Sequence, residues 1–183
     1  MKTLLKHHIE NMMPRRLAAM GEFEMALSLV KESPESAKLE CYFDGKLKIE
    51  GRSSIITSSM IEMGIVHARV LMEFLGVRAR NVDNLVQISG TRTSDINIES
   101  FGIPKLTVEQ VLSPCSGEKK IVERNFSKLL IAANKLIAHS TDTIKIDNDS
   151  IDGYFMVSQA IPVLFDIYFY KKLGLEMPKW QAR

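Results

Sequence analysis

The chain has 183 residues, of which 45% are hydrophobic and 25% are charged, and its formal net charge is +2. This composition is too apolar for a disordered protein, and the net charge is too small to indicate a nucleic-acid partner by itself. The length fits one domain. The two cysteines, Cys41 and Cys115, belong to no CxxC or Cys/His cluster, so neither a thiolate zinc site nor a redox motif is indicated.

We expect a cytoplasmic protein with no membrane contact. The N-terminal stretch MKTLLKHHIENMMPRR has no uninterrupted apolar run of the kind found in signal peptides. The most apolar run, residues 154–170, contains Ser158, Gln159, Pro162 and Asp166, which a membrane span of about 20 residues should not carry. The absence of a disulfide pattern fits a reducing compartment.

The N-terminal part of the chain predicts a helix followed by a small hairpin. Residues 15–32 mix apolar with charged side chains, and the helix they predict ends before Pro34, which lacks a backbone donor. Asp44 and Gly45 separate two short runs within residues 39–51, and this dipeptide favours the tight turn of a β-hairpin. The alternative for residues 39–51 is an irregular loop.

Residues 53–75 predict the central helix of the fold. Ser53 or Ser54 can cap its start, and Gly76 can end it. At helical spacing the polar side chains fall on one narrow strip, which consists of Ser58, Glu62, Arg69 and Glu73. Because nearly all other positions are apolar, we expect this helix to be packed on several sides.

A long connection follows the central helix. Residues 80–106 have no helical period and predict an irregular segment, with a short extended piece at residues 96–103. Thr107 and Gln110 then match a capping box. The box predicts a short helix that stops near Pro114.

Two further helices complete the predicted fold. Residues 118–139 form one, and its core stripe consists of Val122, Phe126, Leu129, Ala133 and Leu136. Residues 150–173 form the last, which Pro162 must kink or divide and Gly174 ends. The elements predict a single mainly α domain, a helical bundle over residues 53–175 that an N-terminal helix and hairpin in residues 1–52 embellish.

The helix over residues 118–139 carries basic side chains opposite its core stripe. These are Lys120, Arg124, Lys128 and Lys135. His139 falls at the border of this basic strip, one turn beyond Lys135. Cations that hold a phosphodiester beside an imidazole that moves a proton would suit RNA chemistry. The alternative is a solvated lysine face with a histidine at the helix end.

The central helix offers a second set of candidates. His67 lies on its apolar side, where a histidine is either a satisfied core residue or points into a cleft shared with His139. Arg69 and Glu73, four residues apart, favour a structural ion pair, and the alternative is that Arg69 contacts a phosphate or carboxylate. Asp166, within an apolar run, predicts a cap or lysine contact.

Metal ligands are weakly indicated. Glu62, His67, His139 and Asp142 are suitable residue types for a metal site. No pair among them has the tight helical spacing of motifs such as HExxH. We therefore expect neither a metal nor a cofactor, and a metal-dependent hydrolase is the least favoured function.

Two stretches resemble the pattern of HEPN-type helical domains, closest to small bacterial HEPN-like proteins of uncertain function. They are IVHARVLMEFLG and FSKLLIAANKLIAHSTD, and the resemblance spans about residues 55–142. It implies a helical bundle that is often dimeric. In active members it implies a metal-independent endoribonuclease with an arginine four to six residues before a histidine. His139 matches that histidine, but the permitted arginine positions hold Ala132, Ala133 and Asn134.

The function that follows is a homodimeric helical module that associates with RNA or with a protein partner, in a bacterial stress or defence system. Because a charged group that stabilises a developing anion strongly affects rate, the missing arginine argues against full catalysis. The alternative is a metal-independent endoribonuclease. In it His139 moves protons, Lys135 contacts phosphate without the bidentate geometry of arginine, and Arg69 assists.

Overall fold

Four long helices form the body of the protein. The computed structural model describes residues 2–33, 37–90, 95–138 and 148–178. In chain order the α-helices are α1 (Lys2–His7), α2 (Met13–Glu32), α3 (Ser53–Leu75), α4 (Val108–Leu112), α5 (Lys119–Ala138) and α6 (Asn148–Phe165). α2 packs against α3 and α6, and α5 packs against the same two helices. These contacts close into a bundle, so the predicted mainly α fold is confirmed.

The bundle interior is built from the apolar stripes of these helices. On α5 the predicted core positions Val122, Phe126, Leu129 and Ala133 are all buried. α2 and α3 approach closely at Gly64, where an added Cβ would collide with the ring of Phe23. A small residue at this position lets the two helices sit close enough for that ring to be fully buried.

An aromatic cluster closes one part of this interior. Phe74 of α3 lies 5.7 Å from Phe165 and 5.1 Å from Phe169, measured between ring centroids. Phe101 lies 5.1 Å from Phe169 with the rings perpendicular, an arrangement that the ring quadrupoles favour. The cluster joins α3 to the C-terminal helical segment and to the connection that precedes α4.

The N-terminal helix begins earlier than predicted. α1 continues through a π-helical turn, His8–Met12, directly into α2, because the residues at both junctions have α-helical backbone angles. Ser33 ends α2 with an extended backbone, in agreement with the predicted stop. α2 also supplies one of the four bundle helices, whereas we expected it to embellish a core of residues 53–175, because its apolar face fits between α3 and α6.

The predicted hairpin is confirmed. Strand β1 (Lys38–Phe43) pairs antiparallel with β2 (Lys46–Arg52). Asp44 and Gly45 both have positive φ, 51° and 72°, as a two-residue type I′ turn requires. The register shifts by one residue between Cys41 and Tyr42, where β2 carries a bulge. The hairpin touches the bundle mainly where β2 runs into α3.

α3 has the predicted bounds but not the predicted cap. Gly76 ends it with φ of 89°. The side chain of Lys105 packs against Gly76 and leaves no room for a side chain at that position. Neither Ser53 nor Ser54 caps the start of α3. Arg52 occupies the N-cap position, and its side chain makes no capping hydrogen bond to the helix backbone. α3 is also the one helix of the described residues that is long and apolar enough to cross a membrane, a criterion that core helices of globular proteins also meet.

The connection between α3 and α4 contains more structure than predicted. Strands β3 (Val77–Ala79) and β4 (Leu85–Gln87) pair antiparallel. The expected extended piece is wrong, since Ile98–Phe101 forms a 3₁₀ turn. The Asn97 side chain accepts hydrogen bonds from the backbone of Glu99 and Ser100, and these bonds favour the turn over an extended strand. The capping box of Thr107 and Gln110 is confirmed.

The last helix neither stops nor divides at Pro162. α6 continues to Phe165, a π-helical turn follows at Asp166–Tyr170, and a 3₁₀ turn at Lys171–Leu173 ends at Gly174. Helical structure therefore persists beyond the proline with a changed hydrogen-bonding register. Asp166 accepts a 2.5 Å hydrogen bond from Lys171, which confirms its predicted lysine contact.

Candidate anion-binding site

A cavity of about 920 Å³ collects arginine side chains from three parts of the chain. Arg16 comes from α2, Arg69 from α3 and Arg78 from β3, and His8 and the backbone near Asn97 complete the lining. We call this cavity the arginine pocket. Its size is within the range of ligand-binding clefts, about 300–1,000 Å³.

The π-helical turn helps to place His8 and Arg16 together. A π turn contains about one residue more than an α turn of about 3.6 residues. One α turn and one π turn therefore take up about eight residues, the separation of His8 and Arg16 in sequence. Both side chains line the arginine pocket, as does Met13 between them. π-helical turns occur frequently at functional sites.

The charges in the arginine pocket are only partly balanced. Arg69 donates from Nε to Glu73 at 2.8 Å, so the predicted ion pair is confirmed. Arg16 Nη1 lies 3.4 Å from His67 Nδ1, and Glu73 and Asp95 also line the cavity. Three guanidinium groups thus face two carboxylates, and such an excess of N–H donors is the arrangement that binds carboxylate or phosphate oxygens.

Two imidazoles near these arginines favour the neutral state. Burial, followed by the charges of Arg16 and His7, lowers the pKa of His8. Burial and Arg16 also lower the pKa of His67, while Glu22 opposes them. His8 Nδ1 is buried and has no hydrogen-bond partner within the described part of the chain. Because a neutral ring carries no charge, the positive charge of the arginine pocket comes from its arginines.

Lys105 holds the loop that forms one wall of the arginine pocket. Its ammonium donates to the carbonyls of Ile88 at 3.0 Å and Gly90 at 3.3 Å, and it pairs with Glu99 at 3.3 Å. Its side chain is only 9% exposed. This nearly buried ammonium therefore has three oxygen partners, two carbonyls and one carboxylate. Its hydrogen bonds hold the backbone at Ile88 and Gly90 against Lys105.

A smaller cavity of about 150 Å³ adjoins the arginine pocket. The two share Arg69, Glu73 and Arg78, and the smaller one extends to Leu130 and Asn134 of α5. Arg69 of α3 therefore lies close to Asn134 of α5. Lys135 follows Asn134 in sequence but lines neither cavity.

The predicted basic strip of α5 lies apart from the arginine pocket. Lys120, Arg124 and Lys135 are exposed and Lys128 is half-buried. None of the four lines the arginine pocket or the smaller cavity. Arg124 pairs with Asp83 at 3.2 Å. The structure thus places Arg69 in a cavity and the basic strip outside both cavities, while His139 lies outside the described residues.

The alternative metal site is not assembled by the residues that can be placed. Glu62 is exposed and His67 contacts Arg16. His139 and Asp142 fall outside the described residues. Within residues 2–33, 37–90, 95–138 and 148–178, no three His, Cys, Asp or Glu side chains come together as a metal would require.

Sequence reasoning missed His8, Arg16 and Arg78. The only signal for His8 and Arg16 was their separation of eight residues. This separation places the two side chains on the same face of the helix only when the helix contains a π turn, which the sequence does not reveal. Arg78 follows the helix-ending Gly76 and belongs to a strand too short for a period to reveal it. Only the folded connection brings Arg78 next to Arg69.

Comparisons with known proteins give no relative. No family model, no curated protein and no solved structure matches the chain. The resemblance over residues 55–142 therefore depends on its two short stretches alone.

Proposed function

We propose that this chain is a homodimeric helical module that binds RNA through phosphate groups, with the arginine pocket as the principal contact. The observation that carries the proposal is the convergence of Arg16, Arg69 and Arg78 in one cavity that only two carboxylates, Glu73 and Asp95, share. Guanidinium groups bind phosphate oxygens with paired donors, so three of them around one cavity suit a phosphate group.

RNA suits the surroundings of the arginine pocket. The smaller cavity extends from Arg69 and Arg78 to Asn134, so a strand could pass from the arginine pocket towards the C-terminal end of α5. Lys128 and Lys135 on α5 would then contact further phosphates, each with a modest, salt-sensitive contribution. The neutral ring of His8, which lines the arginine pocket, would stack on a base.

The test is the affinity for a short single-stranded RNA, measured by fluorescence anisotropy at several salt concentrations. Arg78→Ala should weaken binding about tenfold, as the loss of a charge-assisted contact of about 1.5 kcal/mol implies. It should also make the dependence of log affinity on log salt shallower by about 0.7, the value for one phosphate contact on a single strand.

Arg80→Ala is the matched control, because Arg80 is exposed two residues away and does not line the arginine pocket. It should leave affinity within about twofold of the wild type. If Lys120, Lys128 and Lys135 charge reversals abolish binding while Arg78→Ala does not, the basic strip is the RNA site. If the wild type binds no RNA, a protein partner becomes the better proposal.

Metal-independent ribonuclease activity is the second candidate. The observation in its favour is the position of Arg69 beside Asn134, five residues before His139 in sequence. Purified protein would then degrade RNA in EDTA, and His139→Ala and Arg69→Ala would each abolish degradation. Arg69→Ala that binds RNA normally but does not cleave it would separate this candidate from simple binding.

A further inference from the structure

The β1–β2 hairpin leaves a strand edge and an apolar face uncovered. β1 pairs with β2 alone among the described strands, so its outer edge presents free backbone donors and acceptors. Phe43 and Ile49 lie on one face of the hairpin with 58% and 45% of their surface exposed. An isolated two-stranded hairpin is marginally stable in water, and a free edge favours pairing with another strand.

The two edges of the hairpin are not equivalent. β2 carries Lys46 and Lys48 and contains the bulge, and edge lysines and bulges are features that prevent strand addition. β1 has no bulge, and its last three residues are Cys41, Tyr42 and Phe43. β1 is therefore the edge that is open to another strand.

The sequence of β1 is complementary to itself. In an antiparallel pair of two β1 strands centred on Cys41, Leu39 faces Phe43 of the second copy. Glu40 faces Tyr42, and these two side chain types already hydrogen-bond at 2.7 Å within one chain. Apolar pairs and a hydroxyl–carboxylate pair are cross-strand combinations that stabilise sheets.

A shift of one position in either direction loses this match. Centring the pair on Glu40 places two carboxylates opposite each other, and centring it on Tyr42 leaves only residues 41–43 paired, because β1 ends at Phe43. Like charges directly opposite destabilise a sheet. The register around Cys41 also keeps Leu39, Cys41 and Phe43 on one face, so the apolar faces of both hairpins become continuous.

We propose that two copies of this chain join β1 to β1, antiparallel around Cys41, and form a four-stranded sheet across the dimer. This interface deepens the dimeric state of the proposed function and does not depend on RNA binding. Its occupant is a second copy because β1 pairs with its own reversed sequence: Leu39 meets Phe43 and Glu40 meets Tyr42.

Cysteine crosslinking tests the register. Opposite residues in an antiparallel pair have Cα atoms about 4.5–5.5 Å apart, within the range of a disulfide. A mild oxidant, which accepts the two electrons that two thiols release, should therefore convert Cys115→Ser into a covalent dimer. Cys41→Ser should give none, although Cys115 remains. Stacking of the apolar faces would instead separate the strands by about 10 Å and give no Cys41 crosslink.

Sedimentation of matched variants tests the interface under reducing conditions. Cys41→Lys places two ammonium groups at the dyad and should convert the dimer to a monomer. Ile49→Lys alters the residue opposite Cys41 within the same hairpin and should leave a dimer, because β1 edge pairing does not use it. Circular dichroism would verify that both variants remain folded.

The outcomes separate the proposals. A wild type that is monomeric at micromolar concentration and forms no crosslink would overturn both the interface and the dimeric state. A wild-type dimer that Cys41→Lys leaves intact would overturn the β1 interface and keep the dimeric state. RNA affinity, governed by the arginine pocket, is measured independently of either result.

Discussion

The bundle and the β1–β2 hairpin contain similar apolar side chains in opposite surroundings. Phe23 and Phe169 are fully buried between helices, whereas Phe43 in the hairpin is 58% exposed. The difference arises because each bundle helix packs against at least two others, while the hairpin has almost no neighbours. Burial depends on what an element packs against, so apolar residues stabilise the fold in the bundle and remain available for a partner in the hairpin.

The largest expected effect is in the bundle. Phe169→Ala should reduce the free energy of unfolding by about 3–5 kcal/mol, because it empties a site that four aromatic neighbours surround. Phe43→Ala, measured by urea denaturation at a concentration where the protein is monomeric, should change it by less than about 0.5 kcal/mol. Equal losses in the two variants would remove the contrast between bundle and hairpin.

Gly64→Ala should have the next largest effect. The added methyl group collides with the buried ring of Phe23, and such overpacking costs about 1–3 kcal/mol. Gly21→Ala is the control, since Gly21 is exposed on the neighbouring helix α2, and it should be neutral or stabilise by up to about 1 kcal/mol. If both variants are stabilised in urea denaturation, α2 and α3 are less tightly packed than described.

Thr107→Ala should have a smaller effect on the connection between α3 and α4. Its hydroxyl accepts from the Gln110 backbone at 3.2 Å, and loss of such a cap typically costs about 1 kcal/mol. Thr107→Ser keeps an acceptor and should restore most of the loss in thermal unfolding. A Ser variant as unstable as Ala would show that the methyl group, and not the cap, matters.

The smallest expected effect is a pH dependence near the arginine pocket. The folded chain lowers the pKa of His8 and His67 below the ordinary value of 6.5, so the unfolded chain binds more protons as pH falls below 6.5. The stability they contribute is complete above pH 6.5 and is lost as pH decreases towards the folded pKa values. Urea denaturation at pH 7.5 and 5.5 should show a smaller loss in the His8→Gln, His67→Gln double variant than in the wild type.

Local signals were sufficient for most of the elements. The Asp44–Gly45 turn, the Thr107 capping box and the Gly76 stop act within a few residues, so sequence reasoning found them. The arginine pocket was not accessible in this way, because it joins Arg16, Arg69 and Arg78 across more than sixty positions of sequence. Arg69 was recognised as a phosphate-binding candidate, but its partners depend on how the connection after α3 folds.

The π-helical turn couples the position of His8 to the number of residues in the N-terminal segment. Deletion of one residue from His8–Met12 would let the segment close into a regular α-helix. His8 and Arg16 would then be seven residues apart, about two turns of a regular α-helix, so both would stay on one side of it. The π turn thus holds one extra residue while keeping the imidazole beside the guanidinium, whereas a regular α-helix over the unchanged sequence would turn His8 about 80° away from Arg16.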